Sequence, residues 1–172
     1  DEKFGAEVAF APQKIDATLA SVISDAGLSQ VHIAETEKYP HATYFLNGGR
    51  EQPHKGEEHI LIESRKDVST HDQAPEMRAH EIALAGIESV KKGTDFIFIN
   101  FANADMVGHT ANKEAIVVAV ETVDKELKKF LEVLHSVGGI AFITSDHGNA
   151  EVNIDPITGD KHTAHTLSKV PA

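Results

Sequence analysis

The chain has 172 residues, of which 41% are hydrophobic, and it contains no cysteine. This composition is typical of a globular domain, and it excludes disulfide bonds and thiolate metal sites. The net charge of −11 with neutral histidines argues against nucleic acid or an anionic membrane as a partner, because phosphate groups bind basic surfaces. No apolar run approaches the roughly 18–20 residues that span a bilayer, so we expect a cytoplasmic protein.

The first half of the chain predicts alternating strands and helices. A first helix should begin at Pro12, since proline fits the first helical turn, and end before Gly27. The stretch HATYFLNGG at 41–49 fits either a short helix or a hairpin turn, and we favour the helix. The strands predicted in this half are 6–11, 30–35 and 58–64.

The second half continues the alternation. One helix should run from Pro75 to Lys92, and the longest helix should run from 112 to 137. Strands are predicted at 95–102 and 140–145, and both are apolar on each face, as central parallel strands are. This order predicts a three-layer α/β/α domain with a mostly parallel central sheet.

Acidic and imidazole side chains follow both of these apolar strands. Asp105 and His109 come after the first strand and are four residues apart, so one helical turn would place them on the same face. Asp146 and His147 come directly after the second strand. Because ligands bind outside the carboxyl ends of parallel strands, the two pairs should meet at one sheet edge if the strands are neighbours.

A third group of histidines, His162 and His165, lies in KHTAHT. Carboxylates and imidazoles without sulfur suit Zn²⁺, Mn²⁺ or Fe²⁺, and two such sets would form a two-metal centre that clamps a phosphoryl group. An ordinary Asx turn is the alternative for each Asp-His motif taken alone.

Ser145 should point away from Asp146 on a strand and therefore pack rather than act as a nucleophile. Most of the 11 histidines are expected to be solvated surface residues.

Four motifs, in this order, resemble the cofactor-independent (2,3-bisphosphoglycerate-independent) phosphoglycerate mutase family of the alkaline phosphatase superfamily. They are IAETEKYPHATYFLNGG, NFANADMVGHT, ITSDHGNAE and HTAHT followed by KVP, and they cover nearly the whole chain. The resemblance implies an alkaline phosphatase-like fold, here incomplete. It implies an isomerase of glycolysis and gluconeogenesis that interconverts 3-phosphoglycerate and 2-phosphoglycerate through a phosphoserine intermediate. It also implies two Mn²⁺ ions, or Zn²⁺, Co²⁺ or Mg²⁺ in their place.

The same resemblance assigns roles to individual side chains. Lys38 of EKYPH matches the lysine that contacts the transferring phosphate. The implied metal ligands are Asp105, His109 and His165 in the first site and Asp146 and His147 in the second. His162 does not match a ligand position of the family.

The resemblance also implies that part of the enzyme has no counterpart in this chain. The nucleophilic serine, a further aspartate ligand and the substrate-binding arginines of an inserted transferase domain are absent. Residues 1–12 resemble the tail of the transferase domain and a linker, and residues 13–172 resemble the carboxy-terminal part of the metal-binding phosphatase domain. We therefore expect a fragment that is inactive alone, a small phosphorylated substrate for the whole enzyme, and self-association of the fragment through unpaired sheet edges.

Two alternatives stay open from the sequence. Another phosphomutase or a phosphodiesterase of the same superfamily would share the Asp-His-Gly and Asp-x-x-x-His motifs. A non-catalytic metal-binding domain would keep the ligands without the chemistry. The region around Lys38 and the NGG segment favour the phosphoglycerate enzyme.

Overall fold

The computed structural model describes residues 9–10, 13 and 15–172. In this part of the chain, three parallel strands form one sheet with the order β2-β1-β3. The strands are β1 (Gln30–Glu35), β2 (Glu57–Ile62) and β3 (Phe96–Ile99). The predicted α/β class with a parallel sheet is confirmed. The predicted strand 6–11 lies outside the described residues except for 9 and 10.

Four α-helices accompany the sheet in the described residues. They are α1 (Leu19–Asp25), α2 (Ala79–Lys91), α3 (Asn103–Gly108) and α4 (Lys113–Ser136). Short 3₁₀ turns cover Thr36–Lys38 and His71–Gln73, and a π-helical turn covers His41–Phe45, so the helix favoured for 41–49 is confirmed over its first half. None of the helices in the described residues is long and apolar enough to cross a membrane.

Helices cover both faces of the sheet because alternate residues of β1 point in opposite directions. Val31 and Ile33 pack against Ile82 of α2. On the other face, the Gln30 side chain donates a 2.8 Å hydrogen bond to the Ala20 carbonyl of α1. All six residues of β1 are buried, so β1 is the innermost strand of the described sheet.

Two helices begin later than predicted, each for a local reason. Helix α1 begins after Thr18, whose hydroxyl accepts from the Ser21 backbone N–H while the Ser21 hydroxyl accepts from the Thr18 N–H. This reciprocal capping box defines the start, and residues 15–18 are not helical. Helix α2 begins at Ala79 because Met77 has a φ of +44°, which a right-handed helix cannot contain.

The two strands predicted to be central were placed incorrectly. Strand β3 spans only 96–99 and lies at the edge of the described sheet, with its residues half-buried. Residues 140–145 form no strand, and Ile140 and Phe142 are 95% and 80% exposed. Apolar sequence favours a strand only where a neighbouring strand supplies hydrogen bonds, and no described residue pairs with this segment.

Helix α3 is held in place by a second apolar cluster beyond the end of β3. The buried members of this cluster are Met77, Ala102, Val107, Ala115, Ile116 and Ala119. The Asn103 side chain adds two 2.9 Å hydrogen bonds to the carbonyls of Pro75 and Glu76. The Asn100 N–H donates to the Ile33 carbonyl, so α3 starts next to the carboxyl end of β1. This packing positions Asp105 at that edge of the sheet.

Candidate metal centre

Three side chains converge at the carboxyl end of the sheet. Asp105 lies on α3, His109 caps that helix, and His165 directly precedes Thr166, which forms an antiparallel bridge with Gly148. The distance from Asp105 Oδ1 is 3.2 Å to His109 Nε2 and 3.1 Å to His165 Nε2, and the two Nε2 atoms are 3.2 Å apart. Two metal–ligand bonds of about 2.1 Å at a tetrahedral angle separate the ligand atoms by roughly 3.4 Å. The triangle therefore has the dimensions of a divalent metal site.

The orientation of the two imidazoles also suits metal binding. His109 Nδ1 donates a 2.7 Å hydrogen bond to the Thr163 carbonyl, which leaves the Nε2 lone pair directed at Asp105. A backbone carbonyl on the far nitrogen is the usual way in which a protein orients a histidine ligand. The His165 ring is stacked on His147, with ring centroids 3.7 Å apart. Both rings are therefore oriented before any ion binds.

Asp105 is held in its ionised form by its neighbours. Burial would raise its pKa, but hydrogen bonds from Lys38 and Asn149 and the charge of Lys38 outweigh burial and lower the pKa to about 2. Lys38 Nζ lies 2.6 Å from Asp105 Oδ2, and Asn149 Nδ2 donates to Oδ1 at 2.8 Å. The lysine thus neutralises the carboxylate through Oδ2 while Oδ1 faces the two histidines.

Asp146 and His147 line the same cleft as Lys38 and Asp105 but do not join the triangle. The Asp146 side chain is 69% exposed, and its Oδ2 lies 3.6 Å from His147 Nε2. The structure therefore brings the predicted first set of ligands together, whereas the second set is a pair at the open side of the cleft. The two sets of ligands are in contact through His147 and His165, whose rings are stacked.

Ser145 has a different role from the predicted packing. Its residue is exposed, and its hydroxyl donates a 2.8 Å hydrogen bond to the His147 carbonyl. The prediction was wrong because it assumed a strand at 140–145, on which Ser145 would point into the protein. In the observed turn the serine instead constrains the backbone of the Asp-His pair.

Asn149 and Glu151 are site residues that were not predicted from the sequence. Asn149 is buried and bonds to Asp105, and its backbone N–H donates to Glu151 Oε2 at 2.8 Å. The hydroxyl of Thr166 also donates to Glu151, and these hydrogen bonds lower the pKa of Glu151 to about 2. The position of Asn149 directly after Asp-His-Gly indicated that it lies near the site. Its hydrogen-bond partner, Asp105, is 44 residues away along the chain and could not be deduced from that position.

Two glycines allow these site residues to pack closely. A Cβ at Gly108 would lie 2.7 Å from Asn149 Oδ1, and a Cβ at Gly148 would overlap Thr166 and Glu151. In the structure they make room for side chains of the site itself.

Comparison with known proteins is consistent with a metal centre. The profile of the family described as the Metalloenzyme superfamily matches residues 8–172. The chain is 51% identical over 165 residues to the 2,3-bisphosphoglycerate-independent phosphoglycerate mutase of Chloroflexus aggregans, which covers 95% of this chain and 30% of that protein. It is 52% identical over 171 residues to 2,3-bisphosphoglycerate-independent phosphoglycerate mutase 2 of Methanosarcina barkeri, which covers 99% of this chain and 32% of that protein.

A solved structure shares the fold. Leishmania mexicana phosphoglycerate mutase, crystallised at low cobalt concentration, superposes with a TM-score of 0.79 at 34% identity. The match covers 86% of this chain and 29% of that chain. The chain therefore spans about a third of the length of the relatives that it matches.

Proposed function

The chain belongs to the metalloenzyme superfamily, and from this premise we propose that it is part of a cofactor-independent phosphoglycerate mutase. The complete enzyme would interconvert 3-phosphoglycerate and 2-phosphoglycerate in the cytoplasm, as a step of glycolysis and gluconeogenesis. The observation that carries the proposal is the triangle of Asp105, His109 and His165 with Lys38 on the remaining carboxylate oxygen. Similarity to phosphoglycerate mutases along almost the entire chain supports this reading over another phosphomutase or a phosphodiesterase.

We assign the triangle to one divalent ion and Asp146 with His147 to a second. Nitrogen and oxygen donors without sulfur fit Mn²⁺, with Zn²⁺, Co²⁺ or Mg²⁺ as substitutes. When bound, such ions supply positive charge to phosphoryl oxygens and acidify a nucleophilic hydroxyl. The Asp146 side chain is exposed, so further ligands of the second ion could approach it from a part of the enzyme outside this chain.

The residues of the chain itself would orient the phosphoryl group. Lys38 has three N–H donors, of which one bonds to Asp105 Oδ2, so the others are available to a phosphoryl oxygen in the cleft. The side chain is only 11% exposed, so its charge acts across a partly desolvated site, where it is stronger than in water. Asn149 would keep Asp105 Oδ1 directed at the metal, and Thr163 would keep His109 in the ligating tautomer.

The remaining catalytic groups would come from the rest of the enzyme, which corresponds to the two thirds of the relatives that this chain does not cover. We propose that a serine there accepts the phosphoryl group, forming a phosphoserine intermediate, and returns it to the other hydroxyl of glycerate. Residues 1–12 would be the return from a transferase domain, and residues 13–172 would complete the metal-binding domain. The isolated chain should therefore show no mutase activity.

A chimera tests the proposal. The matched third of the Chloroflexus aggregans protein would be replaced by this chain, and formation of 2-phosphoglycerate from 3-phosphoglycerate would be followed with an enolase-coupled assay. We expect activity that requires Mn²⁺ and that is lost in His165→Gln. His135→Gln removes an exposed histidine at the end of α4 and should leave the activity unchanged.

The outcomes separate the alternatives. A folded chimera that binds Mn²⁺ but hydrolyses or transfers other phosphate esters would indicate a different enzyme of the superfamily. A chimera that binds Mn²⁺ and turns over no phosphate ester would indicate a non-catalytic domain. Mutase activity of the isolated 172-residue chain would contradict the proposed division of catalytic groups.

A further inference from the structure

A second cluster of metal-binding side chains lies on the sheet, apart from the Asp105 centre. It consists of His32 on β1 and of Glu57 and His59 on β2. The parallel register pairs His32 with His59, and Glu57 is two residues earlier on the same face. The side chains of His32 and Glu57 are 1% and 0% exposed, and that of His59 is 10% exposed. Most histidines were expected at the surface, and these two are not.

The donor atoms of this cluster are already close together. Glu57 Oε1 lies 2.5 Å from His59 Nε2 and 3.5 Å from His32 Nδ1. The second distance equals the separation of roughly 3.4 Å expected for two ligands of a tetrahedral ion, to within 0.1 Å. The distance between Glu57 Oε1 and His59 Nε2 would have to increase by slightly less than 1 Å to reach the same separation. Side-chain rotation of the less buried His59 can provide that movement.

Both ring nitrogens of His32 face hydrogen-bond acceptors, although a neutral ring can donate to only one of them. Its Nδ1 lies 2.7 Å from the Ala42 carbonyl, and its Nε2 lies 3.3 Å from Gln30 Oε1. Both neighbours are acceptors, and the Gln30 amide is fixed because its nitrogen donates to the Ala20 carbonyl. A neutral imidazole carries one proton, so one contact is left without a hydrogen atom.

Burial disfavours the doubly protonated ring, since it lowers the pKa of His32. A cation beside Nδ1 would satisfy both ring nitrogens. The single ring proton would then lie on Nε2 and be donated to Gln30, and Nδ1 would be free to bind the cation.

An unsatisfied acceptor beside the cluster is an independent sign of a missing ligand. Asn47 is 4% exposed, and its Nδ2 donates a 2.7 Å hydrogen bond to Glu57 Oε1. Its Oδ1 is buried and has no hydrogen-bond partner among the described residues. A buried amide oxygen without a donor is costly, and a metal ion or a metal-bound water would satisfy it.

We propose that His32, Glu57 and His59 form a structural Zn²⁺ site, with Asn47 Oδ1 or a water completing the shell. Two imidazoles and one carboxylate are a standard Zn²⁺ donor set, and the buried position suits an ion that stabilises the fold. Such an ion would join β1, β2 and the 41–49 segment. The site does not depend on the proposed mutase function, since it shares no residue with the Asp105 centre.

Zinc binding by the 172-residue chain tests the proposal once the other centre is disabled. In a His109→Gln/His165→Gln background, calorimetry and metal analysis after dialysis should find about one Zn²⁺ per chain. Adding His59→Gln or Glu57→Gln should weaken that binding by roughly 100-fold or more, because each removes a ligand. Adding His135→Gln, the matched exposed histidine, should leave it unchanged. Far-UV circular dichroism would establish that each variant is folded.

A spectroscopic readout covers the case in which the ligand variants do not fold. Co²⁺ in the unaltered site of the background chain should give the visible absorption of a four-coordinate ion, and Zn²⁺ should displace it. Absence of Zn²⁺ binding or of this band in the background chain would overturn the proposal. So would a folded His59→Gln chain with undiminished Zn²⁺ affinity.

Discussion

Replacing Asp105 by asparagine should destabilise the metal-free chain by about 2–3 kcal/mol at pH 7. The folded protein lowers the pKa of this carboxyl from its ordinary value of 3.8 to about 2. At roughly 1.4 kcal/mol per pH unit, that difference corresponds to about 2–3 kcal/mol of stabilisation of the folded state. Its sources are Lys38 and Asn149, which outweigh the cost of burial, and asparagine cannot form the ion pair with Lys38.

The sign of the pH dependence follows from the lowered pKa. A carboxyl that is more acidic in the folded state stabilises the fold fully above its unfolded value of 3.8, and this contribution is lost as the pH falls through about 2. The free-energy difference between the wild-type chain and Asp105→Asn should therefore fall to about half at pH 3.

Urea unfolding in the presence of EDTA, followed by circular dichroism between pH 7 and pH 3, would measure this difference. Asp146→Asn is the matched control, because that carboxylate lines the same cleft but is 69% exposed. It should change the free energy of unfolding by no more than about 0.5 kcal/mol. Equal stability of Asp105→Asn and the wild-type chain at pH 7, or a difference that does not shrink on acidification, would show that Lys38 and Asn149 do not stabilise the fold through the ionised Asp105.

Three further predictions concern the core, the cleft and the surface. Gly86→Ala should lower the free energy of unfolding in urea by about 1–3 kcal/mol, because a Cβ there would lie 2.6 Å from Ile99 Cδ1; an unchanged value would contradict this packing. Lys38→Met in the chimera should lower kcat by about 100-fold or more while calorimetry still detects Mn²⁺, and loss of both properties would argue for a purely structural lysine. The isolated chain should self-associate through its exposed apolar segment, and Ile140→Ser/Phe142→Ser should reduce the mass seen by light scattering; a wild-type chain that stays monomeric would refute this.

Long, strongly patterned elements were predictable from the sequence. Helix α4 was expected at 112–137 and is observed at Lys113–Ser136, because its apolar period is repeated over more than six turns. Strand β1 was predicted at its observed bounds, since Val31 and Ile33 alternate with the polar Gln30 and His32, as residues of a strand do. The segment 140–145 has a more apolar sequence than β1 but forms no strand, because strand formation depends on a neighbour and not on composition alone.

The candidate site was predictable where its residues are close in sequence. The four-residue spacing of Asp105 and His109 indicated a shared helical face, and their side chains are 3.2 Å apart. The position of Asn149 and the pairing of His32 with His59 could not be deduced from spacing. The first depends on a turn that returns to α3, and the second depends on the register between β1 and β2.

The most direct test of the metal centre is an anomalous difference map at the manganese absorption edge, from crystals of this chain soaked in Mn²⁺. We expect a peak within coordination distance of Asp105 Oδ1, His109 Nε2 and His165 Nε2, and no such peak in crystals of His165→Gln. No peak at this position under saturating Mn²⁺, in crystals where the three side chains keep their observed arrangement, would contradict the proposed metal centre.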